Sequence, residues 1–298
     1  METRGGKIAT VGMFDGVHLG HRWLINRLVS EGGKRGLSPL VITFGQHPLT
    51  VIAPQKAPKC LMPVTDRVER LMECGVGDVV VMDFDESLQK LTALQFIEML
   101  RDNYDVRAIL MGFNHHFGSD RLGSFEAYKE AGEACGVEII RGDELSAKSG
   151  VSSSLIRRKL SAGDVESAAE MLGRSYEITG EVVHGKQLGR KLGFPTANIR
   201  PVDADQLIPA AGVYAVDVDL GYDVVRRAML NIGVRPTVDK VPDAPMTMEA
   251  HIIDWEGDLY GHRVALKFVK RLRDEKCFDS LDSLKTQLHS DLTAARQA

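Results

Sequence analysis

Short apolar segments in the first half of the chain alternate with segments of helical periodicity, which constrains the fold strongly. The intervening helical patterns are Asp66–Cys74, Thr92–Leu100 and Ser124–Cys135. Repeated strand–helix–strand units favour a mostly parallel sheet covered by helices, with ligands at the carboxyl ends of the strands. The strand candidates are Ile8–Val11, Leu40–Phe44, Val79–Met82, Val106–Met111 and Val137–Ile140. Within Asp66–Cys74, the apolar face is predicted from Val68, Leu71 and Met72.

The pattern changes near Gly173, after two further helix candidates that begin at Ser152 and Asp164. We place the domain boundary there, giving domains 1–173 and 174–298. Strand-like segments separated by turn residues then dominate, which favours a small antiparallel barrel. They cover Tyr176–Val183, Gly212–Leu220, Val224–Leu230, Met248–Ile253 and His262–Val269, and a helix is predicted over Leu281–Leu292.

Composition narrows the class of protein. The 298 residues are 44% hydrophobic and 26% charged with a net charge of −4, so no basic field favours nucleic acid or membrane partners. We find no apolar run of membrane-spanning length and no signal-peptide core at the polar N-terminus. The four cysteines are scattered without a C-x-x-C pair. These features predict a cytoplasmic protein with reduced thiols, and leave its oligomeric state open.

The stretch Gly12–His21 follows a strand candidate and leads into a helix candidate. A helix N-terminus offers unpaired backbone N–H groups and a positive dipole end, which suit phosphate. His18 and His21 are three residues apart and share a helix face. Buried structural histidines or a metal site are the alternatives, but the strand–turn–helix context favours a nucleotide phosphate site.

This stretch, Gly12-Met13-Phe14-Asp15-Gly16-Val17-His18-Leu19-Gly20-His21, resembles the signature of the bacterial bifunctional riboflavin kinase/FAD synthetase family. The family's adenylyltransferase half is an H-x-G-H nucleotidyltransferase. The resemblance implies a Rossmann-like α/β nucleotidyltransferase domain with a parallel sheet, then a small antiparallel β-barrel riboflavin kinase domain with a C-terminal helix. Later landmarks in the same order are Thr43-Phe44, His47-Pro48, Gly112–Gly118 with Arg121, and Val151–Arg157.

The resemblance also implies roles in adenylyl transfer. His18 and His21 would donate to the ATP phosphates, and Ser152, Ser153 and Arg157 would contact the β- and γ-phosphates. Simple helix capping is the alternative role for the serines. Many members carry an acidic residue, Phe and Arg where this chain has Asn114-His115-His116. The implied ATP contacts are Gly12, Phe14, Asp15, His18, His21, Asn114, Ser152, Ser153 and Arg157, with Asn114 also contacting flavin.

In the second half, Gly193-Phe194-Pro195-Thr196-Ala197-Asn198 matches the riboflavin kinase motif of the same family. Read alone, the preceding segment is a basic, glycine-rich surface loop that leads into a strand. The resemblance makes Thr196 and Asn198 the ligands of a Mg²⁺–ATP pair, and neutral oxygen ligands suit Mg²⁺. The implied ATP contacts of the kinase are Gly185, Lys186, Leu188, Gly193, Pro195, Thr196 and Asn198.

Glu249 is the candidate general base of the kinase, because a ribityl hydroxyl must lose its proton and kinases generally use a carboxylate. An isolated strand glutamate is usually a surface residue, but the segment through Gly257–Gly261 repeats the family pattern. His251 shares the strand face of Glu249 and either orients it or packs beside it. The implied flavin contacts are Asn114, Arg273, Glu275 and Phe278, although a solvated charge run also accounts for the arginine.

The expected function is therefore bifunctional. The barrel would phosphorylate riboflavin to FMN, and the α/β domain would adenylylate FMN to FAD with release of pyrophosphate. ATP is the co-substrate of both steps and Mg²⁺ the expected cofactor. The alternatives are one silent module, a nucleotidyltransferase acting on another substrate, or a non-enzymatic flavin sensor.

Overall fold

The structure, a computed structural model, describes residues 5–112, 116–142, 150–185, 193–234 and 246–298. It divides into two compact units, Met1–Ser152 and Ser153–Ala298. The helices between residues 153 and 172 therefore group with the second unit. The predicted boundary between the two functional domains, at residue 173, stays a prediction.

The first unit is built on a five-stranded parallel sheet, as the strand–helix alternation predicts. The strand order is β3-β2-β1-β4-β5. The central strand β1 therefore lies between β2, which follows it in the chain, and β4, which comes later. Ligands of such sheets bind where the strand order reverses, here at the carboxyl ends of β1 and β4. The strands are β1 Lys7–Val11, β2 Ser38–Phe44, β3 Asp78–Met82, β4 Val106–Met111 and β5 Glu138–Arg141.

Helices cover both faces of this sheet because successive strand residues point to opposite sides. Ala9 and Val11 belong to one buried cluster, and Ile8 belongs to another. Thr92 and Gln95 form a capping box at the start of the helix Ala93–Tyr104. The helices are α1 Leu19–Arg35, α2 Leu49–Ile52, α3 Val64–Glu73, α4 Glu86–Lys90, α5 Ala93–Tyr104 and α6 Phe125–Ala134.

The buried face of α3 differs from the predicted one. Its buried residues are Arg67 and Leu71, which are one helical turn apart, whereas Met72 is 45% exposed. The predicted apolar face is confirmed at Leu71 and wrong at Met72, and it did not include the charged Arg67 because arginine is almost never fully buried.

The second unit begins with two helices and continues as a closed antiparallel barrel in the order β10-β7-β6-β11-β8-β9. The predicted barrel and C-terminal helix are thus confirmed, and β7 is a strand that the list of strand candidates omits. The elements are α7 Ser153–Ser161, α8 Val165–Leu172, β6 Glu177–Val183, β7 Ala197–Pro201, β8 Gly212–Asp219, β9 Val225–Val234, β10 Met246–Ile252, β11 Arg263–Arg273 and α9 Leu281–Gln297.

Alternation along β10 decides which of its side chains reach the outer surface of the barrel. Met248 and Ala250 are buried, whereas Glu249 and His251 are half-buried on the opposite face. Apolar residues of α9 pack on the barrel in a cluster that includes Val213 and Ala295. This packing creates a cleft between α9 and the outer face of the barrel.

Candidate active sites

The Gly12–His21 turn leaves β1 in an unusual backbone conformation. Phe14 and Val17 have φ angles of 48° and 38°, in a region that a β-branched residue rarely adopts. The Val17 N–H donates to the Phe14 carbonyl oxygen at 3.0 Å. Both side chains are nevertheless buried, at 3% and 2% exposure. Such strain persists only where surrounding contacts hold it, and it is typical of functional sites.

His18 and His21 come together at the start of α1, as their spacing predicts. His18 is the N-cap, and its Nδ1 accepts the His21 backbone N–H at 3.3 Å. A neutral His18 ring therefore carries its proton on Nε2 and can donate from there. The two rings stack with centroids 3.6 Å apart and planes inclined by 17°.

The electrostatic setting of His21 favours the neutral ring. Burial lowers the pKa of His21 well below its usual value, and the nearby His18 and Arg67 lower it further. Its Nδ1 is buried without a hydrogen-bond partner among the described residues. His21 can thus act as a neutral hydrogen-bond donor, beside His18 Nε2 and the N–H groups of the helix start.

The carboxylate of Asp15 is buried and contacts the protein itself. Both of its oxygens accept the Leu61 backbone N–H, at 2.9 and 3.0 Å. The Phe14 ring packs edge-on against His21 at 5.2 Å. These contacts give Asp15 and Phe14 roles in shaping the turn, and their contact with ATP stays a prediction.

A cavity of about 500 Å³ lies at the carboxyl ends of β1 and β2. His47 and His116 line it together with Gly12. Sequence reasoning did not single out its aromatic wall, although Phe84 lies two residues after the end of β3. The wall consists of Phe44, Phe84, Phe96 and Phe117, and Arg121 also lines the cavity.

Tyr128 fixes one part of this wall. Its hydroxyl donates to the Phe117 carbonyl oxygen at 2.8 Å and accepts the Phe117 N–H at 3.1 Å. Asn114, predicted to contact both ATP and flavin, lies outside the described residues.

The predicted phosphate contacts of Ser152, Ser153 and Arg157 stay predictions. A Cβ built on Gly20 would lie 4.0 Å from the Val151 carbonyl oxygen, so the segment that reaches Ser152 passes the start of α1. Helix α7 begins at Ser153, one residue after the predicted start, and Arg157 lies on that helix in the second unit.

In the barrel, strand register brings the predicted kinase residues together. Glu249 on β10 is directly opposite Asn198 on β7 and Asn231 on β9. Thr196 Oγ1 donates to Glu249 Oε2 at 3.5 Å. His251 Nδ1 donates to the Pro195 carbonyl oxygen at 2.9 Å, since a carbonyl only accepts, and so binds the Gly193–Asn198 motif to β10.

The cleft between the barrel and α9 contains a cavity of about 290 Å³. Glu249, Thr196 and three of the four predicted flavin contacts, Arg273, Glu275 and Phe278, line it. The Arg273 guanidinium is bound by the buried Asp291, with Nη2–Oδ2 at 2.7 Å.

A second cavity of the barrel, of about 500 Å³, is lined by Thr196 and Pro195 from the motif and by residues of the 255–260 segment. Thr196 therefore lines both cavities. The Tyr260 ring stacks on His184 at 3.9 Å. Gly185 lies so close to the Asn198 amide that a Cβ would overlap it. Lys186 and Leu188 lie outside the described residues.

Comparisons with known proteins support the predicted identity of both halves of the chain. A family model for FAD synthetase matches residues 1–155, and one for riboflavin kinase matches residues 172–298. The curated bifunctional riboflavin kinase/FMN adenylyltransferase of Escherichia coli K12 is 38% identical, covering 98% of this chain and 92% of that protein. The Bacillus subtilis protein of the same name is 33% identical, over 97% and 92% of the two chains.

A solved structure from Streptococcus pneumoniae, described as a macrolide-efflux protein, superposes with a TM-score of 0.88 at 31% identity. The match covers all of this chain and 96% of the other. Within the described ranges, we find no helix whose length and apolar character would let it cross a membrane. Because family models match both halves and relatives match nearly the whole chain, the chain belongs to the family of bifunctional riboflavin kinase/FMN adenylyltransferases.

Proposed function

We propose the following roles for the residues and cavities of this chain in the two reactions of its family. The enzyme phosphorylates riboflavin to FMN with ATP, then transfers AMP from a second ATP to FMN, which gives FAD and pyrophosphate. Riboflavin occupies the cavity between the barrel and α9, and ATP occupies the cavity beside Tyr260. Glu249 accepts the proton of the ribityl hydroxyl.

The position of Thr196 is the observation that supports this proposal most. A phosphoryl donor and its acceptor must meet in line, and Thr196 lines both cavities with Glu249 beside it. The riboflavin-side cavity is lined by apolar and charged groups together, as an isoalloxazine ring with a ribityl chain requires.

Mg²⁺ fits the donors at this junction. The Thr196 hydroxyl and the Asn198 amide oxygen are neutral oxygen ligands, and Mg²⁺ commonly takes few protein ligands and completes its shell with water and substrate phosphates. When bound, it neutralises charge on the phosphate oxygens. We propose that adenylyl transfer also requires Mg²⁺, because the leaving pyrophosphate is highly charged as well.

For adenylyl transfer, we propose that His18 and His21 donate to the ATP phosphates at the start of α1. Ser152, Ser153 and Arg157 would contact the β- and γ-phosphates. FMN occupies the cavity with the aromatic wall beside Gly12. Its phosphate is already an anionic nucleophile, so positioning and charge stabilisation are sufficient and no strong base is needed.

A cytoplasmic location is also proposed. The four cysteines are scattered along the sequence without a C-x-x-C pair, which is typical of proteins in reducing compartments.

Product analysis over time tests the proposal. With riboflavin, ATP and Mg²⁺, the native enzyme should accumulate FMN transiently and then FAD. Glu249→Gln should lower FMN formation by about 10²- to 10⁴-fold, as expected for loss of a general base, yet still convert added FMN to FAD. Exposed Glu170→Gln on α8 is the matched control. Native rates of FMN formation in Glu249→Gln would refute the assignment.

A further inference from the structure

Arg67 is the most unusual charged residue of the first unit. It is 1% exposed, although arginine is almost never fully buried unless it is paired. Its Nη1 donates to the Met13 carbonyl oxygen at 2.6 Å and lies 3.6 Å from the Met13 sulfur. Its Nε is buried without a hydrogen-bond partner among the described residues. The buried guanidinium thus donates to the Met13 carbonyl, and the Asp15 carboxylate of the same turn supplies a nearby negative charge.

That carbonyl belongs to the turn that carries the two histidines. Thr43 Oγ1 donates to the same Met13 oxygen at 3.0 Å, so the oxygen accepts from two side chains on different elements. Phe14 follows immediately with its positive φ angle. Two donors on one carbonyl limit its rotation, and therefore limit the backbone angles of the strained residues after it.

Helix α3 also supports the turn through apolar contacts. Leu71 lies on the same face of α3 as Arg67 and belongs to the buried cluster that contains Phe14 and Val17. Just before α3, the Leu61 N–H binds the Asp15 carboxylate. The segment from residue 61 to 71 therefore contacts the turn through a cation, a backbone N–H and an apolar side chain.

We propose that Arg67 is a positioning residue for adenylyl transfer. It holds the Met13 carbonyl and, through it, the turn that presents His18 and His21 to the ATP phosphates. His18 caps α1 and His21 lies in its first turn, so a shift of this turn moves both rings together. The inference rests on the proposed phosphate-binding role of these histidines.

Steady-state kinetics of FAD formation from FMN and ATP test the inference on the full chain. Arg67→Met should lower kcat by about 10²-fold, the loss expected when catalytic groups are misplaced by about 1 Å, and leave the KM for FMN nearly unchanged. Arg67→Lys keeps a cationic donor and should restore most of kcat. Thr43→Val removes the second, uncharged donor and should lower kcat by a smaller factor.

Two controls accompany these variants. Arg70→Met changes a half-buried arginine on the same helix and should leave kcat at the native value. FMN formation from riboflavin belongs to the barrel, so it should be unchanged in every variant of this series.

The outcomes separate the inference from the function on which it rests. A folded Arg67→Met variant with native kcat would overturn the inference. If Arg67→Met does not fold, Thr43→Val decides: a native kcat in that variant overturns the inference, whereas a lower kcat supports it. If His21→Gln retains native FAD formation, the proposed role of the histidines fails. Loss in His21→Gln with native kcat in folded Arg67→Met refutes the positioning role alone.

Discussion

Glu249 on β10 is the direct cross-strand neighbour of Asn198 on β7, although the two residues are far apart in the chain. Directly opposite residues of antiparallel strands have Cβ atoms about 5 Å apart, and these two lie on one face of the barrel. The same row continues to Asn231 on β9. A proposed general base and a proposed Mg²⁺–ATP ligand are therefore held by backbone register rather than by a flexible loop.

The contact between Gly185 and Asn198 gives a first prediction. A Cβ on Gly185 would overlap the Asn198 amide, so Gly185→Ala should turn that side chain away from Glu249. We expect FMN formation to fall by about 10- to 100-fold, as for other small misplacements of catalytic groups, with FAD formation from FMN unchanged. Rates of both reactions, measured on the same preparation, check this.

A double-variant cycle sharpens that test. If the glycine acts through Asn198, then Gly185→Ala combined with Asn198→Ala should be no slower than Asn198→Ala alone. Additive losses would mean that Gly185 contributes in another way.

The buried ion pair between Arg273 and Asp291 gives a second prediction. Asp291 Oδ1 also accepts from Gln287, and the side chains of the pair are 14% and 4% exposed. Removing one partner leaves a buried charge unpaired, so Asp291→Ala should lower the free energy of unfolding by about 3–5 kcal/mol. Because Arg273 lines the proposed flavin cavity, we also expect the KM for riboflavin to rise.

The chain's two tryptophans allow a direct measurement. Trp23 lies in the first unit and Trp255 in the second, so denaturant unfolding followed by fluorescence in a Trp23→Phe background reports on the second unit. Asp254→Asn is the matched control, because its partner Arg296 also lies on α9 but the side chains are 74% and 52% exposed. Exposed pairs contribute at most about 1 kcal/mol. Equal losses in the two variants would contradict the prediction.

The sheet of the first unit could be predicted from the sequence because strand and helix periodicities alternate along it. The strand–turn–helix context of the Gly12–His21 turn was equally local, and it brings His18 and His21 together at the start of α1 as their spacing predicts. Features that depend on pairing between strands far apart in the chain could not be predicted from local sequence patterns. Asn198, Asn231 and Glu249 form one row only because three strands close in a particular register.

The bounds of β7 and the burial of Arg67 show two other limits. The glycine-rich loop is predicted to lead into a strand, but Ala197–Pro201 is short and follows a segment rich in glycine and proline, so the sequence does not define the ends of this strand. Arg67 lies in an amphipathic helix where a cation is normally assigned to solvent. Its burial depends on the Met13 carbonyl, which no periodicity along α3 reveals.

Adjacent glycines in α1 give a third prediction, with one serving as the control of the other. Gly33 is exposed and has no atom within 4 Å of a built Cβ, so Gly33→Ala should stabilise the first unit by about 0.5–1 kcal/mol through helix propensity. A Cβ on Gly32 would lie 2.8 Å from the Leu37 carbonyl oxygen, so Gly32→Ala should destabilise by about 1–3 kcal/mol. Trp23 fluorescence in a Trp255→Phe background measures both, and equal shifts of the same sign would contradict the structure.

The setting of His21 gives a fourth prediction, on pH. Burial, His18 and Arg67 lower the pKa of His21 in the folded protein. Below about pH 6.5, the His21 ring therefore takes up a proton more readily in the unfolded chain than in the folded protein. The stabilising contribution of the neutral ring is therefore fully present above pH 6.5 and is lost as the pH falls towards the folded pKa.

His21→Gln removes this titration while all other groups, including His18, remain. Between pH 7.5 and 5.5, the native first unit should lose up to about 1.4 kcal/mol more unfolding free energy than the variant, the most that one such group can contribute over that interval. Denaturant unfolding of both proteins at the two pH values, followed through Trp23 in a Trp255→Phe background, measures the difference. Equal losses in native protein and variant would mean that His21 titrates alike in the folded and unfolded chain, and that the stacked pair does not hold it neutral.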